Sequence, residues 1–271
     1  MDAVQAIVLG VVQGLTEFLP ISSSGHLEIV PRAFGWSRPE DSAAQAFDVA
    51  LHFGTLLAVV LHFRADLVRY VVDGVRAMAQ PKTASGDGRL AWLFVISAIP
   101  ASVAGVLLNS WIDDRLGTPV VIGWSLIGFG VLLLLADRAA GNRTLEMVAL
   151  KDATAIGFAQ VLALNPGTSR SGITISAGRF LGLQREAAVR FSFVMGIPVI
   201  FGAFVFEMAQ LVSEGVPDGL ITAMMIGGIA AFISGWLAVA GLLRFVQKRS
   251  FTPFVVYRII LGIVVLAVAY R

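Results

Sequence analysis

Six stretches of this chain, at about Ala44–Phe63, Leu90–Ser110, Val120–Ala136, Ala187–Val212, Leu220–Leu243 and Pro253–Tyr270, are apolar over the length a helix needs to cross a lipid bilayer. That length is about 20 residues for a hydrocarbon core of roughly 30 Å. The connecting segments are short. At 57% hydrophobic against 14% charged residues, with a mean hydropathy of +0.82, the chain lies outside the range of soluble domains. An all-α integral membrane protein is expected, forming a single membrane domain over 1–271. There is no cysteine, which excludes disulfides, thiolate metal sites and cysteine nucleophiles. The run Ala6–Val12 follows no basic leader and runs on to polar residues and Pro20 instead of a cleavage site, so no removable signal segment is expected.

A net charge of +2 and a pI near 9.3 raise the question of a nucleic-acid partner. The basic residues answer it by sorting to one membrane side: Arg64, Arg69, Arg76, Lys82 and Arg89; Arg138, Arg143 and Lys151; Arg179, Arg185 and Arg190; Arg244, Lys248 and Arg249. The positive-inside rule makes these loops cytoplasmic, and no nucleic acid is expected. The other loops carry Glu40, Asp41, Asp113, Asp114, Glu214 and Asp218, with Arg32, Arg38 and Arg115 as their bases, and should face outward. Tracing the spans this way gives each half of the chain an odd number of crossings. The second half, about 150–271, is then expected to be inverted relative to the first, about 1–143. A single offset of 147 residues relates Gly10-Val-Val-Gln13 to Gly157-Phe-Ala-Gln160, Ser22 to Ser169, Ser24 to Ser171 and Gly25 to Gly172.

Ahead of each trio of spans lies a segment, roughly Asp2–Pro31 and Asp152–Phe180, that is apolar at both ends and broken in the middle by Pro, Gly and hydroxyl residues. Irregular backbone at membrane depth is tolerated only where it is buried in protein or lines a wet cavity, so both segments read as re-entrant helical hairpins. The fold class expected is an inverted-topology repeat with about six transmembrane helices plus two re-entrant hairpins meeting near the bilayer midplane.

At each tip a new helix begins, after Ser22-Ser-Ser-Gly-His26 and after Thr168-Ser-Arg-Ser-Gly172. Hydroxyl residues cap such ends, free N–H groups and the helix dipole favour an anion there, and glycine admits it to the backbone. Arg170 adds a planar fork suited to phosphate oxygens. Close packing of two small-residue breaks is the simpler explanation of the tips, but it leaves Arg170 unexplained, since a charge at membrane depth costs at least about 2.5 kcal/mol. The expected phosphate-binding set is Ser22, Ser24, Gly25, Thr168, Ser169, Arg170, Ser171 and Gly172. Glu17 shares a helix face with Gln13 one turn before the first tip, and together they offer oxygen ligands for Mg²⁺ or Ca²⁺; a structural ion pair between Glu17 and Arg170 is the alternative. His26, beside three serines, is a candidate proton carrier. His52 and His62 read as packing or interfacial residues. Asp48 is a second-tier candidate, Glu207 a weaker one, and Trp36, Trp111 and Trp124 are candidate interface anchors.

The motifs Gln13-Gly-Leu-Thr-Glu17-Phe-Leu-Pro-Ile-Ser-Ser-Ser-Gly-His26 and Pro166-Gly-Thr-Ser-Arg-Ser-Gly172 resemble the signatures of the undecaprenyl-diphosphate phosphatase family of the bacitracin-resistance type, in a chain of matching length and motif order. The resemblance implies hydrolysis of undecaprenyl diphosphate to undecaprenyl phosphate and inorganic phosphate, recycling the lipid carrier for peptidoglycan synthesis, with bacitracin resistance as a consequence. It also implies residence in the bacterial inner membrane, with the site open to the outer, periplasmic face. By position it assigns the acidic motif to Gln13 and Glu17, the Ser/His motif to Ser22, Ser23, Ser24 and His26, and the phosphate-binding arginine to Arg170. Glutamine at the first acidic position weakens any mechanism that needs two carboxylates there. The expected chemistry has Ser23 attack the terminal phosphorus with His26 as proton partner, helped by Arg170, the tip N–H groups and a divalent cation at Glu17. The competing version has water attack, activated by His26 or Glu17. A lipid-phosphate flippase or anion transporter on the same scaffold is the alternative from another class, and a homodimer is left open.

Overall fold

The computed structural model describes residues 1–36, 41–80, 85–214 and 220–270. Arg38, Glu40, Lys82 and Asp218, used above to orient the chain, lie outside the described residues, as do the side chains of Asp41, Trp111, Asp113, Asp114, Arg115, Glu207 and Glu214.

The described residues are folded almost entirely into α-helices, and six of these are long and apolar enough to cross a membrane. They are α3 (Asp41–His62), α5 (Gly86–Leu116), α6 (Pro119–Arg138), α9 (Arg185–Glu214), α10 (Leu220–Val246) and α11 (Thr252–Ala269), each overlapping one expected span. Local chemistry sets their ends: the Thr118 hydroxyl caps α6 ahead of Pro119, Pro253 opens α11, and Arg138 and Arg244 sit in the last turns of α6 and α10, where cations suit the helix dipole.

Helix α10 shows how the bundle divides lipid from protein. Ile221, Met225, Ile229, Ile233 and Leu237 recur every fourth residue on one face, and all are more than half exposed. In water such a stripe would be a liability; in a bilayer it is a lipid-facing surface. The other face is small and buried, with Gly227, Ala231, Ser234, Gly235 and Ala238, and it is held between α3 and α1 (Ala3–Phe18). Helix α3 approaches so closely that a Cβ on Gly54 would lie 2.2 Å from the Gly228 carbonyl oxygen. Small residues allow backbones to meet this way in membranes.

One helix departs from the expectation of short loops. Helix α4 (Arg64–Ala79) occupies the basic segment after α3. Its Asp66–Arg69 and Asp73–Arg76 pairs lie on an exposed face, while Tyr70 and Gly74 are buried against α5, the Tyr70 ring meeting Phe94 edge-on at 5.3 Å. A surface helix needs only a narrow apolar stripe, which a search for long apolar runs passes over.

The remaining helices are shorter. Helix α1, opened by an Asp2–Gln5 capping box, runs into α2 (Ser23–Ala33), and α7 (Leu150–Val161) runs through a short 3-10 turn into α8 (Arg170–Phe180). Helix α1 packs on α10, α7 on α5, and α6 on α11. Below α8 the loop after α6 is tied by buried charge: Asp137 accepts from Arg185 and from the Phe251 N–H, and Arg143 donates to the fully buried Asp152. Burial pushes the Asp152 carboxyl up, but hydrogen bonds from Arg143 and the Ala149 N–H outweigh it and hold the group below the ordinary carboxylate range.

Candidate active site

Both tips are built the same way. Ser22 caps α2 with its hydroxyl accepting from the Gly25 N–H at 3.4 Å, and Ser169 caps α8 with its hydroxyl accepting from the Gly172 N–H at 3.1 Å. Their φ angles are 75° and 73°, and among the described residues they are the two non-glycine residues with positive φ. Such backbone costs about 1–3 kcal/mol at each position and persists only where surrounding contacts over-determine it. The next-but-one serine repeats as well, Ser24 lying 3.4 Å from Ser22 and Ser171 lying 3.2 Å from Ser169, hydroxyl to hydroxyl. The tips touch, since the Ser171 hydroxyl donates to the Leu19 carbonyl at 3.0 Å.

Glu17 is the hub between them. Its Oε1 accepts from Arg170 Nη2 at 3.0 Å; its Oε2 accepts from the Ser23 hydroxyl at 2.7 Å and from Gln13 Nε2 at 3.1 Å. The carboxylate is buried, so a charged partner and two hydrogen bonds are what make its ionised form tolerable. Glu17, Ser22, Ser23, Ser24, Ser169 and Arg170 line a cavity of about 210 Å³ whose apolar wall comes largely from α9, through Val199, Ile200, Ala203 and Phe204. A single cavity thus holds a hydroxyl on a carboxylate, a guanidinium and two capped helix starts.

Not every expected residue faces this cavity. Gly25, Ser171 and Gly172 are buried behind it, and Thr168 accepts from the Asn165 amide at 3.0 Å within the second turn. Asp48 contributes its carbonyl, at 2.8 Å, to His52 Nδ1 one helical turn on. The His26 ring is engaged away from Ser23: its Nδ1 lies 2.6 Å from the Ser22 carbonyl and its Nε2 lies 2.6 Å from the Tyr257 hydroxyl. The group on the Ser23 hydroxyl is Glu17, in place of the expected His26. The side chain of Glu207 lies outside the described residues.

Two features escaped the sequence reading. His52, taken there as a packing or interfacial residue, lines the same cavity as Glu17. Arg258 is wholly buried in α11 and had not been singled out. Its signal was present, because an arginine inside an apolar span is a functional flag by the reasoning applied to Arg170. As for a cation, no group of three or more His, Asp or Glu side chains occurs among the described residues. Gln13 Oε1, beside Glu17, is buried with no hydrogen-bond partner among the described residues.

The chain is similar to known proteins over nearly its whole length. Residues 6–264 match the family model described as bacitracin resistance protein BacA. The chain is 44% identical over 265 residues to the undecaprenyl-diphosphatase of Idiomarina loihiensis, covering 97% of this chain and 98% of that protein. It is 45% identical over 265 residues to that of Hahella chejuensis, covering 97% and 96%, and 45% identical over 269 residues to that of Marinobacter nauticus, covering 99% of each.

Proposed function

The chain belongs to the bacitracin resistance protein BacA family, and on that footing we infer that it is an undecaprenyl-diphosphatase, a multi-pass membrane hydrolase that removes a phosphate from undecaprenyl diphosphate. Its product is the lipid carrier reused in peptidoglycan synthesis, and the family's name ties the activity to bacitracin resistance.

The reaction assigned to the cavity is in-line attack by Ser23 on the terminal phosphorus. One observation carries it: the Ser23 hydroxyl donates to Glu17 at 2.7 Å while Arg170 holds the other carboxylate oxygen at 3.0 Å. As the Ser23 oxygen bonds to phosphorus, its proton passes to Glu17, the bridging anhydride bond breaks, and undecaprenyl phosphate leaves with the bond's electron pair. Water then attacks the phosphoserine, releasing inorganic phosphate and restoring the hydroxyl. Arg170 and the N–H groups at the two helix starts face the charge that builds on the phosphoryl oxygens. A divalent cation, Mg²⁺ or Ca²⁺, would add charge neutralisation on the diphosphate. Gln13 Oε1 and Glu17 are the oxygens that would hold it, which fits an ion bound mostly by phosphate and water.

The scaffold of this reading is an inverted repeat with two re-entrant hairpins, α1–α2 and α7–α8, set in the bacterial cytoplasmic membrane with the cavity reached from the outer face. The offset of 147 residues between equal serine caps supports it. So does the exchange of packing partners: α1 packs on α10 while α7 packs on α5, and α3 meets α10 while α9 meets α5.

Rapid-quench turnover of undecaprenyl diphosphate labelled in its terminal phosphate tests the chemistry. Label should appear transiently on Ser23, and Ser23→Ala should lose about a thousandfold or more in kcat, the scale of removing a nucleophile. Wild-type turnover in Ser23→Ala would end the nucleophile assignment.

A further inference from the structure

Beyond its first residue, Thr252, helix α11 is apolar but for two adjacent residues, Tyr257 and Arg258; Arg258 reaches the backbone of both serine tips and Tyr257 reaches the His26 side chain. Arg258 has no exposed surface, and its acceptors are main-chain carbonyls: Pro20 at 3.2 Å, Gly167 at 2.9 Å, Thr168 at 2.9 Å, Leu126 at 3.2 Å and Ser125 at 3.4 Å. Pro20 precedes the strained Ser22 by two residues, and Thr168 immediately precedes the strained Ser169. One guanidinium therefore grips both tips where their backbone turns.

Tyr257 reaches the first tip through His26. The Ser22 carbonyl can only accept, so His26 Nδ1 carries the proton it donates there, and in the neutral ring Nε2 then accepts from the Tyr257 hydroxyl. The two rings lie 5.6 Å apart and nearly parallel, at 8°. Both imidazole nitrogens are thus committed to holding Ser22.

We propose that Tyr257 and Arg258 form a clamp that holds the two serine caps in their strained conformations, with His26 as its link to the first cap, and that all three are positioning residues. The inference rests on the reading of the serine tips as the phosphate site. It explains how two left-handed serines persist, and it separates His26 from proton transfer. Helix α11 then sets the spacing of the two helix starts that meet the diphosphate.

The test measures kcat, KM and pH–rate profiles on undecaprenyl diphosphate for Tyr257→Phe, His26→Asn, His26→Ala and the double variant Tyr257→Phe/His26→Ala, with melting in detergent followed for each. Asparagine keeps a donor where Nδ1 stands, so His26→Asn should hold kcat within about threefold of wild type, whereas His26→Ala should lose about tenfold. Tyr257→Phe should lose about fivefold alone and nothing further on the His26→Ala background, with KM and the limbs of the pH profile unmoved throughout. The clamp is overturned if His26→Asn is as inactive as His26→Ala and a limb of the profile disappears, since the imidazole then carries the proton. It is equally overturned if Tyr257→Phe turns over like wild type. Ser23→Ala, run in parallel, reports on the nucleophile alone, so failure of that assignment is distinguishable from failure of the clamp.

Discussion

Replacing Gly14 by alanine should slow the chemistry sharply without touching any residue of the cavity. A Cβ at this position of α1 would lie 2.0 Å from the Ser234 hydroxyl, 2.5 Å from the Ala231 carbonyl oxygen and 2.6 Å from the Gly235 nitrogen, all on α10. The hydroxyl can rotate away; the two backbone atoms cannot. Ordinary contact distances for such atoms are about 3.5 Å, so α1 and α10 must separate by about 1 Å. Gly14 is three residues before Glu17 on the same helix, and a helix transmits the shift. The Ser23–Glu17 hydrogen bond of 2.7 Å would then stretch beyond useful length. A displacement of this size costs about a hundredfold in rate, and the overpacking itself costs about 1–3 kcal/mol of stability. Phosphate release from undecaprenyl diphosphate in detergent gives kcat, and thermal melting separates a misplaced Glu17 from an unfolded chain. Gly241→Ala on α10 is the control, since its Cβ would meet nothing within 4 Å among the described residues. Folded Gly14→Ala with kcat within twofold of wild type would refute the reasoning, because it would mean that α1 does not position Glu17 rigidly.

Three further outcomes are expected. Arg170→Lys keeps the charge but loses the planar fork that serves Glu17 and substrate together, so kcat should fall about a hundredfold in steady-state phosphate release, a loss that added salt does not restore. If Gln13 Oε1 and Glu17 share a cation, chelation should abolish turnover, Mg²⁺ or Ca²⁺ should restore it, and Gln13→Ala should raise the half-saturating cation concentration about tenfold in a titration. Because the Asp152 carboxyl is held below its ordinary range, its contribution to stability is complete above the unfolded value of about 3.9 and is lost as pH falls through the lower folded value. Melting temperatures of wild type and Asp152→Asn should therefore differ by a constant amount from pH 5 to 8 and converge only in stronger acid.

The six spans were legible because bilayer thickness turns hydrophobic length into a threshold that a sequence either meets or does not. The serine tips were legible for a related reason: Pro20, Pro166 and the hydroxyl runs cannot continue a lipid-facing helix. Gln13 and Glu17 could be paired from helical spacing alone. What spacing could not supply were partners from distant helices. His26 meets Tyr257 at a separation of 231 residues, and nothing local distinguishes that arrangement from an imidazole turned toward Ser23. His52 reaches the cavity because α3 packs beside α9, a tertiary fact. Arg258 differs from these, since its lone charge within an apolar span could be read from sequence and only its acceptors required the fold.

The packing of α1 on α10 has a consequence in time. Gln13, Thr16 and Glu17 are buried within this arrangement, and α10 begins at Leu220, about 200 residues after α1 ends. At roughly 5–20 residues per second of synthesis, α1 waits on the order of 10–40 s in the ribosome-bound chain before the surface that accepts it exists. During that interval a sixteen-residue helix carrying a carboxylate, too short to span the bilayer by itself, must be sheltered by lipid, translocon or insertase. The Glu17 carboxylate is thus among the first groups translated and among the last to be seated, so the cavity it lines is completed only as the second half of the chain enters the membrane.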